Sequence, residues 1–247
     1  MHERQGREKL GQFILEGGKL LEEALANHVE VLEVVASTSY MEGSANQSFH
    51  SVDLEEITVV PDRLFDDLYT TATTCGVLAV AAARQYCLSD CLQGNYTLIA
   101  IAEAVQDPGN LGTMIRTALA FGATGLVATS GSVDTYHPKV VRSAMGALFA
   151  LPVIGAAKLQ TVLTALKSSS VRLIALDPRA GSKLREIDMQ QALAFVFGNE
   201  GNGLSDETRR LVDELVTIPM PGAMESLNVA ISTAIVLYEC ARARSCL

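Results

Sequence analysis

Residues 194–205 read AFVFGNEGNGLS, which is a strand, a loop and the start of a helix within one short segment. The uninterrupted apolar run Ala194–Phe197 predicts a buried strand. Three glycines within the next six residues, 198–203, let the backbone approach a ligand closely. Ser205 then offers an N-cap, and acidic residues follow it where the helix dipole favours negative charge. A flexible connector would also explain the glycines, but it would not explain Glu200 at the exit of the strand.

The same alternation of strand and helix extends over residues 94–247. Strands are predicted at Leu98–Ala102, Gly125–Ala128, Leu151–Ile154, Val171–Leu176, Ala194–Phe197 and Leu215–Ile218. Helices are predicted at 110–121, 138–149, 158–168, 205–212 and 226–243. Because the strands are almost continuously apolar and are separated by helices, they predict a parallel sheet covered on both faces. Ligands of such sheets bind where loops leave the carboxyl ends of the strands.

The first 88 residues predict a separate and smaller α/β unit. Its predicted elements are strands at Phe13–Leu15, Val31–Ala36, Ile57–Val60 and Val77–Ala83, a helix through Leu20–Asn27 and a helix that begins at Pro61. Polar and turn residues replace the apolar pattern at Ser89–Tyr96, which is typical of a domain boundary. We therefore predict two domains, a front domain of residues 1–88 and a second domain of residues 95–247.

Composition limits the class of protein before any motif is considered. The chain has 247 residues, of which 49% are hydrophobic and 19% are charged, which is typical of a compact protein with a sizeable core. It contains no apolar span of membrane length and no leader pattern, so we expect a cytoplasmic protein. The five cysteines, none at metal-ligand spacing and all expected to be free thiols, are Cys75, Cys87, Cys91, Cys240 and Cys246.

The net charge of −9 argues mildly against a broad basic surface that binds nucleic acid. The acidity belongs to the front of the chain. Residues 1–93 hold fifteen Asp and Glu against six Lys and Arg, whereas residues 94–247 hold thirteen of each. Any affinity for RNA should therefore come from local basic residues.

Another candidate loop, residues 106–112, leads into the helix that carries Arg116. The dipeptide Pro108-Gly109 favours a turn, and Asn110 can cap the helix that follows. Arg116 falls away from the apolar face of this helix, close to Thr113. In the simplest interpretation, Asn110 is only a cap and Arg116 is a solvated surface residue.

A third candidate loop, residues 218–228, joins the last strand to the last helix. Two prolines stiffen it, and Ser226 or Asn228 can begin the helix. The helix is apolar almost all round, so we expect it to be buried on more than one face, in the core or against a second subunit. No GxGxxG loop follows the first strand of this domain and the chain has no GxxxxGKS/T loop, which removes the main support for a nucleotide-dependent oxidoreductase or an NTPase. In chain order, we call the three segments loop 1 (106–112), loop 2 (198–203) and loop 3 (218–228).

Together the three loops resemble the signature motifs of the SpoU/TrmH family of RNA 2′-O-methyltransferases, within the SPOUT superfamily. The matching motifs are Asn-x-Gly…Arg at Asn110–Arg116, Gly-Asn-Glu-Gly-x-Gly-Leu-Ser at Gly198–Ser205 and Pro…Glu-Ser-Leu-Asn-Val at Pro219–Val229. Their order and spacing also match, and His137–Ala147 resembles a further family block. The similarity covers residues from about 95 to 240. The front domain resembles, less closely, the L30e-like substrate-binding domain that is often fused in front.

The resemblance implies a fold, a reaction and a methyl donor. The fold would be a small L30e-like α/β domain followed by a SPOUT α/β parallel-sheet domain with a C-terminal trefoil knot. The reaction would be methylation of a ribose 2′-hydroxyl by S-adenosylmethionine, carried out by a homodimer. The form of loop 1 and the fused front domain resemble the ribosomal RNA branch. A transfer RNA enzyme and a non-catalytic RNA-binding relative are the alternatives.

The resemblance also implies the residues of the site. The catalytic cluster would consist of Asn110, Arg116, Glu200, Ser226 and Asn228. The cofactor pocket would be lined by Gly198, Ile218, Met220 and Leu227. The sulfonium methyl group is already activated, so the transfer requires no metal. The ribose hydroxyl is too weak an acid for an ordinary side-chain base at neutral pH, which leaves positioning and charge stabilisation as the sources of catalysis.

We interpret Arg116 as a clamp for the phosphate beside the target ribose and not as a base, because a guanidinium stays charged in proteins and its donor fork suits a phosphate. The expected RNA-binding residues are Arg116, Lys139 and Arg142, with Arg179, Lys183 and Arg185 as further candidates. The acidic front domain would bind RNA by shape or through Arg4, Arg7 and Lys9. The simplest interpretation of five of these basic residues is a solvated surface side chain: Lys139, Arg142, Arg179, Lys183 and Arg185.

Overall fold

Two β-sheets organise the chain, one in its first third and one in the remainder. The computed structural model describes residues 3–43, 57–68 and 75–245. The first part contains α1 (Arg4–Leu10), β1 (Gln12–Glu16), α2 (Gly18–Ala26), β2 (Val31–Ser37), α3 (Thr38–Glu42), β3 (Ile57–Val60), α4 (Asp62–Asp66) and β4 (Val77–Ala82). Its four strands are ordered β1-β4-β2-β3, with β4 antiparallel to both of its neighbours and β3 parallel to β2.

A parallel sheet of seven strands forms the rest of the structure. Its elements are β5 (Leu98–Ala102), α5 (Pro108–Ala120), β6 (Gly125–Thr129), α6 (Pro138–Ala144), α7 (Ala147–Ala150), β7 (Val153–Ala157), α8 (Leu159–Ser168), β8 (Arg172–Leu176), β9 (Ser182–Lys183), β10 (Leu193–Phe197), α9 (Asp206–Leu211), β11 (Glu214–Thr217) and α10 (Val229–Ala243). The strand order is β7-β6-β5-β10-β8-β11-β9, and the predicted parallel α/β sheet is confirmed. The trefoil knot stays a prediction.

The strands at the centre of this sheet are buried on both faces. In β5, Leu98, Ala100 and Ala102 face one apolar core, whereas Ile99 and Ile101 face the other. This alternation follows from the period of two along a strand. The first of the two cores continues into the front domain, so a single apolar cluster spans both sheets.

The start of α5 differs from the expectation. Asp107, and not Asn110, is its N-cap, because the Asp107 carboxylate accepts the backbone N–H of Asn110 at 2.8 Å. Pro108 occupies the first helical position, where the lost N–H would have had no partner in the helix. The prediction that Asn110 caps the helix is wrong, and its side chain is free to serve another purpose.

Two helices are markedly shorter than predicted. The expected helix 138–149 is broken at Met145 and Gly146, whose φ angles of 50° and 83° are left-handed. The last helix begins at Val229 with Asn228 as its N-cap, so Ser226 lies outside it. The sequence pattern also missed α1, α3 and the short strand β9, which are too short to show a period. Within the described residues, no helix is long and apolar enough to span a membrane.

Candidate active site

A chain of hydrogen bonds joins the three loops at the carboxyl edge of the seven-stranded sheet. Asn110 Nδ2 donates to Glu200 Oε1 at 2.9 Å, and Asn228 Nδ2 donates to Asn110 Oδ1 at 3.0 Å. Asn228 Oδ1 in turn accepts the backbone N–H groups of Ala230 at 2.9 Å and Ile231 at 3.3 Å. Asn110 therefore links the carboxylate of Glu200, 90 residues away in the sequence, to Asn228, the N-cap of α10, which is 118 residues away.

Glu200 is held as an acceptor by loop 1. Besides Asn110, the backbone N–H groups of Gln106 and Asp107 donate to its two carboxylate oxygens, each at 3.2 Å. Burial would raise the pKa of Glu200, but the hydrogen bonds from Asn110 and from backbone N–H groups outweigh it and leave the pKa below its usual value. Glu200 is therefore ionised at neutral pH, and it orients donors instead of supplying a proton.

Loop 2 is a closed hairpin organised by Asn199. The backbones of Asn199 and Gly203 exchange two hydrogen bonds, of 3.0 and 2.9 Å. Asn199 Oδ1 accepts the N–H groups of Gly201 and Asn202, both at 2.9 Å. A Cβ atom at Gly198 would lie 2.4 Å from the carbonyl carbon of Gly203, so only glycine fits there. The glycines therefore allow a tight fold, which is the opposite of a flexible connector.

Two contacts tie this hairpin to the end of β5, and sequence reasoning missed both. Asn199 Nδ2 donates to the carbonyl of Ala104 at 2.7 Å, and Glu103 Oε1 accepts the N–H of Ser205 at 3.2 Å. Ala104 has a left-handed φ of 52°, which is uncommon for a residue with a side chain. Glu103 is buried, and its Oε2 has no hydrogen-bond partner among the described residues. A carboxylate directly after an apolar strand was the signal that could have revealed Glu103.

The other two predicted catalytic residues lie outside the hydrogen-bonded chain. Arg116 is exposed on α5, and within the described ranges its guanidinium has no ion-pair or hydrogen-bond partner. Ser226 is exposed in loop 3, and no described residue bonds to its hydroxyl. Of the five predicted catalytic residues, the structure thus joins Asn110, Glu200 and Asn228 directly.

Of the basic residues that were expected to bind RNA, one lies at loop 1 and two are held in ion pairs between the front domain and the second domain. Lys139 is half exposed, and its Nζ lies 3.8 Å from the carboxylate of Asp107 at loop 1. Arg142 is engaged with Glu16 of the front domain instead of standing free. The structure contradicts the expectation for Arg7, because its side chain is only 4% exposed and pairs with Asp134 at 2.7 Å. A buried, paired guanidinium is not available to RNA.

Two of the four predicted cofactor residues stand at strand ends on the same edge of the sheet, and the other two, Met220 and Leu227, lie in loop 3. Gly198 follows β10 directly, Ile218 follows β11, and Leu227 precedes the Asn228 cap of α10. Their chemistry fits S-adenosylmethionine, since Gly198 offers bare backbone while Ile218, Met220 and Leu227 offer apolar surface. None of the four carries a positive charge that would repel a sulfonium.

The parallel α/β sheet and its three joined edge loops agree with the predicted methyltransferase of the SpoU type, and comparison with known proteins shows the family directly. The chain belongs to the SpoU rRNA Methylase family, whose family model matches residues 97–238. Residues 1–79 match the MRM3-like substrate binding domain. The two matches correspond to the two sheets of the structure.

Individual relatives extend over nearly the whole chain. An uncharacterized tRNA/rRNA methyltransferase of Synechocystis sp. is 35% identical, over 98% of this chain and 88% of that protein. The 23S rRNA (guanosine(2553)-2′-O)-methyltransferase RlmP of Bacillus subtilis is 32% identical, over 97% of this chain and 92% of its own length. The crystal structure of the SpoU methyltransferase AviRb from Streptomyces viridochromogenes, in complex with AdoMet, matches with a TM-score of 0.89 at 26% identity, over 98% of this chain and 94% of the other.

These comparisons confirm the predicted family, fold class, reaction and methyl donor. The chain is an RNA ribose 2′-O-methyltransferase of the ribosomal RNA branch that uses S-adenosylmethionine. The comparisons do not assign roles to individual residues, so the site residues stay predictions.

Proposed function

We propose that this enzyme methylates one ribose of large-subunit ribosomal RNA, and that the hydrogen-bonded chain Glu200–Asn110–Asn228 aligns the three loops for this reaction. This chain of hydrogen bonds is the observation that carries the proposal, because it brings loops 1, 2 and 3, which are distant in the sequence, together in one site. Relatives from Bacillus subtilis and Bordetella pertussis are both named as 23S rRNA guanosine 2′-O-methyltransferases. Guanosine is therefore the target nucleotide to test first.

Arg116 would hold the phosphate beside the target ribose. Its guanidinium is exposed and has no partner in the described part of the chain, so it can bind RNA without first breaking an ion pair. Bound S-adenosylmethionine supplies a methyl group that is already activated for displacement. The protein then has to hold the ribose oxygen in line with that methyl group, a task for Asn228 and Ser226 beside a fixed Glu200.

The methyl donor would be bound by Gly198, Ile218, Met220 and Leu227, through backbone groups and apolar contact. Glu200 lies on the same edge of the sheet, and its depressed pKa keeps it negative at neutral pH. A fixed negative charge near the pocket favours a sulfonium over a neutral product, because the Coulomb attraction ends when the methyl group leaves.

A homodimer would cover the exposed side of the last helix. In the single chain, Val236 and Leu237 of α10 are buried, but Ile231 and Tyr238 are 50% and 44% exposed. Tyr238 also packs edge-on against Phe121 at the end of α5, with ring centroids 5.7 Å apart. A second copy of the chain would bury this apolar surface. Light scattering should report a dimer, and a monomer at micromolar concentration would contradict the proposal.

The two halves of the chain would divide the work. Residues 1–88 would bind RNA, and residues 95–247 would bind the methyl donor and carry out the transfer, with Lys139 as a further RNA-binding residue; Arg142, expected to bind RNA, is instead paired with Glu16. The match of residues 1–79 to a substrate binding domain supports this division. We place the enzyme in the cytoplasm, where bacteria, the source of the named relatives, make ribosomal RNA.

The target can be found by mapping ribose 2′-O-methyl groups in ribosomal and transfer RNA from a deletion strain and from wild type. We expect one position in large-subunit ribosomal RNA to lose its methyl group, and to regain it when the wild-type gene is restored. A complementing gene with Asn228→Ala, which removes one member of the hydrogen-bonded chain, should restore less methylation than the wild-type gene. Loss of methylation only in transfer RNA would refute the proposed substrate.

A further inference from the structure

Helix α6 lies between the front domain and the catalytic helix α5. On one side it packs so closely against α5 that a Cβ atom at Gly112 would lie 2.5 Å from Ser143 Cβ and 2.8 Å from the carbonyl oxygen of Val140. Its Lys139 also reaches Asp107 of loop 1. On the other side, α6 contacts β1 of the front domain. A shift of α6 would therefore displace loop 1 and the front domain together.

An ion pair of low exposure fixes α6 to β1. Glu16, the last residue of β1, has a side chain that is only 4% exposed, and its Oε2 accepts a hydrogen bond from Arg142 Nη1 at 2.5 Å. A carboxylate removed from water in this way needs a charged or hydrogen-bonded partner. Arg142 meets that need across 126 residues of sequence. The pair therefore specifies one docked arrangement of the two domains.

Other contacts define the same arrangement. Arg7 and Asp134 form a second interdomain pair at 2.7 Å, with side-chain exposures of 4% and 13%. Phe13 of β1 packs against Tyr136, with ring centroids 4.7 Å apart, and more distantly against Phe149. Because each contact joins the front domain to residues 134–149, the front domain is seated on the segment that borders loop 1.

We propose that Glu16 and Arg142 are positioning residues that select the target ribose. They hold the front domain at one angle to the three loops, so only an RNA that fits both surfaces at once places its ribose in the site. The inference rests on the proposed function, because it assumes that the front domain binds RNA.

The test uses the full chain and three variants: Arg142→Met, Glu16→Gln and the two combined. Two substrates are compared, a large-subunit ribosomal RNA fragment that folds around the mapped target and a short hairpin cut from the same site. When the Glu16–Arg142 pair is lost, the front domain is held less firmly beside the three loops. The effective concentration of the front domain for an RNA already bound at the loops is then lower. We therefore expect each variant to raise KM for the long fragment about tenfold and to leave KM for the hairpin unchanged.

Three controls separate positioning from other effects. The double variant should be no worse than either single variant, because both remove the same contact. Arg142→Lys, which keeps the charge, should bring KM for the long fragment most of the way back to the wild-type value. Affinity for S-adenosylmethionine in calorimetry should stay within about twofold of wild type in all variants, since the pair lies outside the predicted cofactor pocket.

Two results would overturn the proposal. If Arg142→Met raised KM for both RNAs while Glu16→Gln changed neither, Arg142 would bind RNA directly and would not position the domain. Equal losses of RNA and cofactor affinity in every variant would instead indicate general damage. Hydrogen exchange of the protein alone provides an independent readout of the docking, because Arg142→Met should speed exchange in β1 and α6. This result does not depend on methylation. If wild-type protein failed to methylate any ribosomal RNA, that failure would refute the proposed function and not the docking.

Discussion

Replacing Asn110 with alanine tests the hydrogen-bonded chain at its centre. The substitution removes the 2.9 Å bond to the Glu200 carboxylate and the 3.0 Å bond from Asn228. A hydrogen bond to a charged group contributes about 1.5 kcal/mol at the low end of its range, which suits a partly exposed site, and a neutral one about 0.5 kcal/mol. The aligned arrangement of the loops would then lose about 2 kcal/mol of stabilisation. If the transition state requires that arrangement, the loss corresponds to a decrease in kcat/KM of roughly 30-fold.

The fold should survive this substitution, because Asp107 and not Asn110 caps α5. Methyl transfer is measured with labelled S-adenosylmethionine and ribosomal RNA, together with the melting temperature of each variant. Asn27→Ala is the matched control, since it removes a 2.8 Å amide hydrogen bond on the exposed surface of the front domain. A folded Asn110→Ala enzyme with kcat/KM close to wild type would refute the role assigned to the chain of bonds.

Asn110→Asp sharpens the same test. It keeps the shape of the side chain but turns the donor that faces Glu200 into a second carboxylate, so like charges meet at hydrogen-bond distance. We expect a larger loss than for alanine, with partial recovery as the pH falls and the pair takes up a proton. An aspartate variant more active than the alanine variant at neutral pH would contradict this explanation.

Further predictions concern the phosphate clamp, the packing of α5, the cap of α6 and the thiols. Arg116→Lys should sharply reduce turnover while leaving cofactor affinity in calorimetry nearly intact, and a large loss of cofactor binding would exclude the clamp. Gly112→Ala should lower the free energy of unfolding by about 1–3 kcal/mol, because its new Cβ atom would overlap α6, and a denaturant titration measures this loss. His137 caps α6 by accepting the N–H of residue 139, and burial, followed by nearby cationic side chains, holds its pKa below the usual value. The folded state thus favours the neutral imidazole of His137. The contribution of His137 to the free energy of unfolding should be fully present above the unfolded pKa of about 6.5, and it should be lost as the pH falls through the lower pKa of the folded state. His137→Asn should flatten that decline in melting curves. Burial raises the pKa of Cys91 to about 11 and that of Cys240 to about 12, so neither thiol should react with a maleimide in the native protein.

Much of the second domain could be predicted from the sequence because its strands are short apolar runs with glycine-rich exits. Leu98–Ala102 and Ala194–Phe197 lie within a residue of the strands that the structure contains. The resemblance of the three loops to the SpoU/TrmH motifs also implied Asn110, Glu200 and Asn228 as site residues, and the structure joins these three side chains. Local patterns were sufficient here, since each motif lies at the end of its own strand.

Contacts between distant segments could not be predicted in the same way. The cap of α5 is different, because it is local: Pro108 favours the first helical position and so points to Asp107 as the N-cap, a signal that the sequence did contain. The pairing of Glu16 with Arg142 depends on how two sheets pack, and no local period encodes that packing. The strand order, with β10 between β5 and β8, is likewise a property of the whole chain.

The most direct test of the account is a transfer assay with purified protein, methyl-labelled S-adenosylmethionine and unmodified large-subunit ribosomal RNA. A 2′-O-methyl group protects the adjoining phosphodiester bond from alkali, so the position of the label can be read after hydrolysis. We predict label at a single alkali-stable dinucleotide with the wild-type protein, and a decrease of roughly 30-fold in its rate of formation with Asn110→Ala. Label found only in alkali-sensitive nucleotides, or equal labelling by the two proteins, would contradict the central claim.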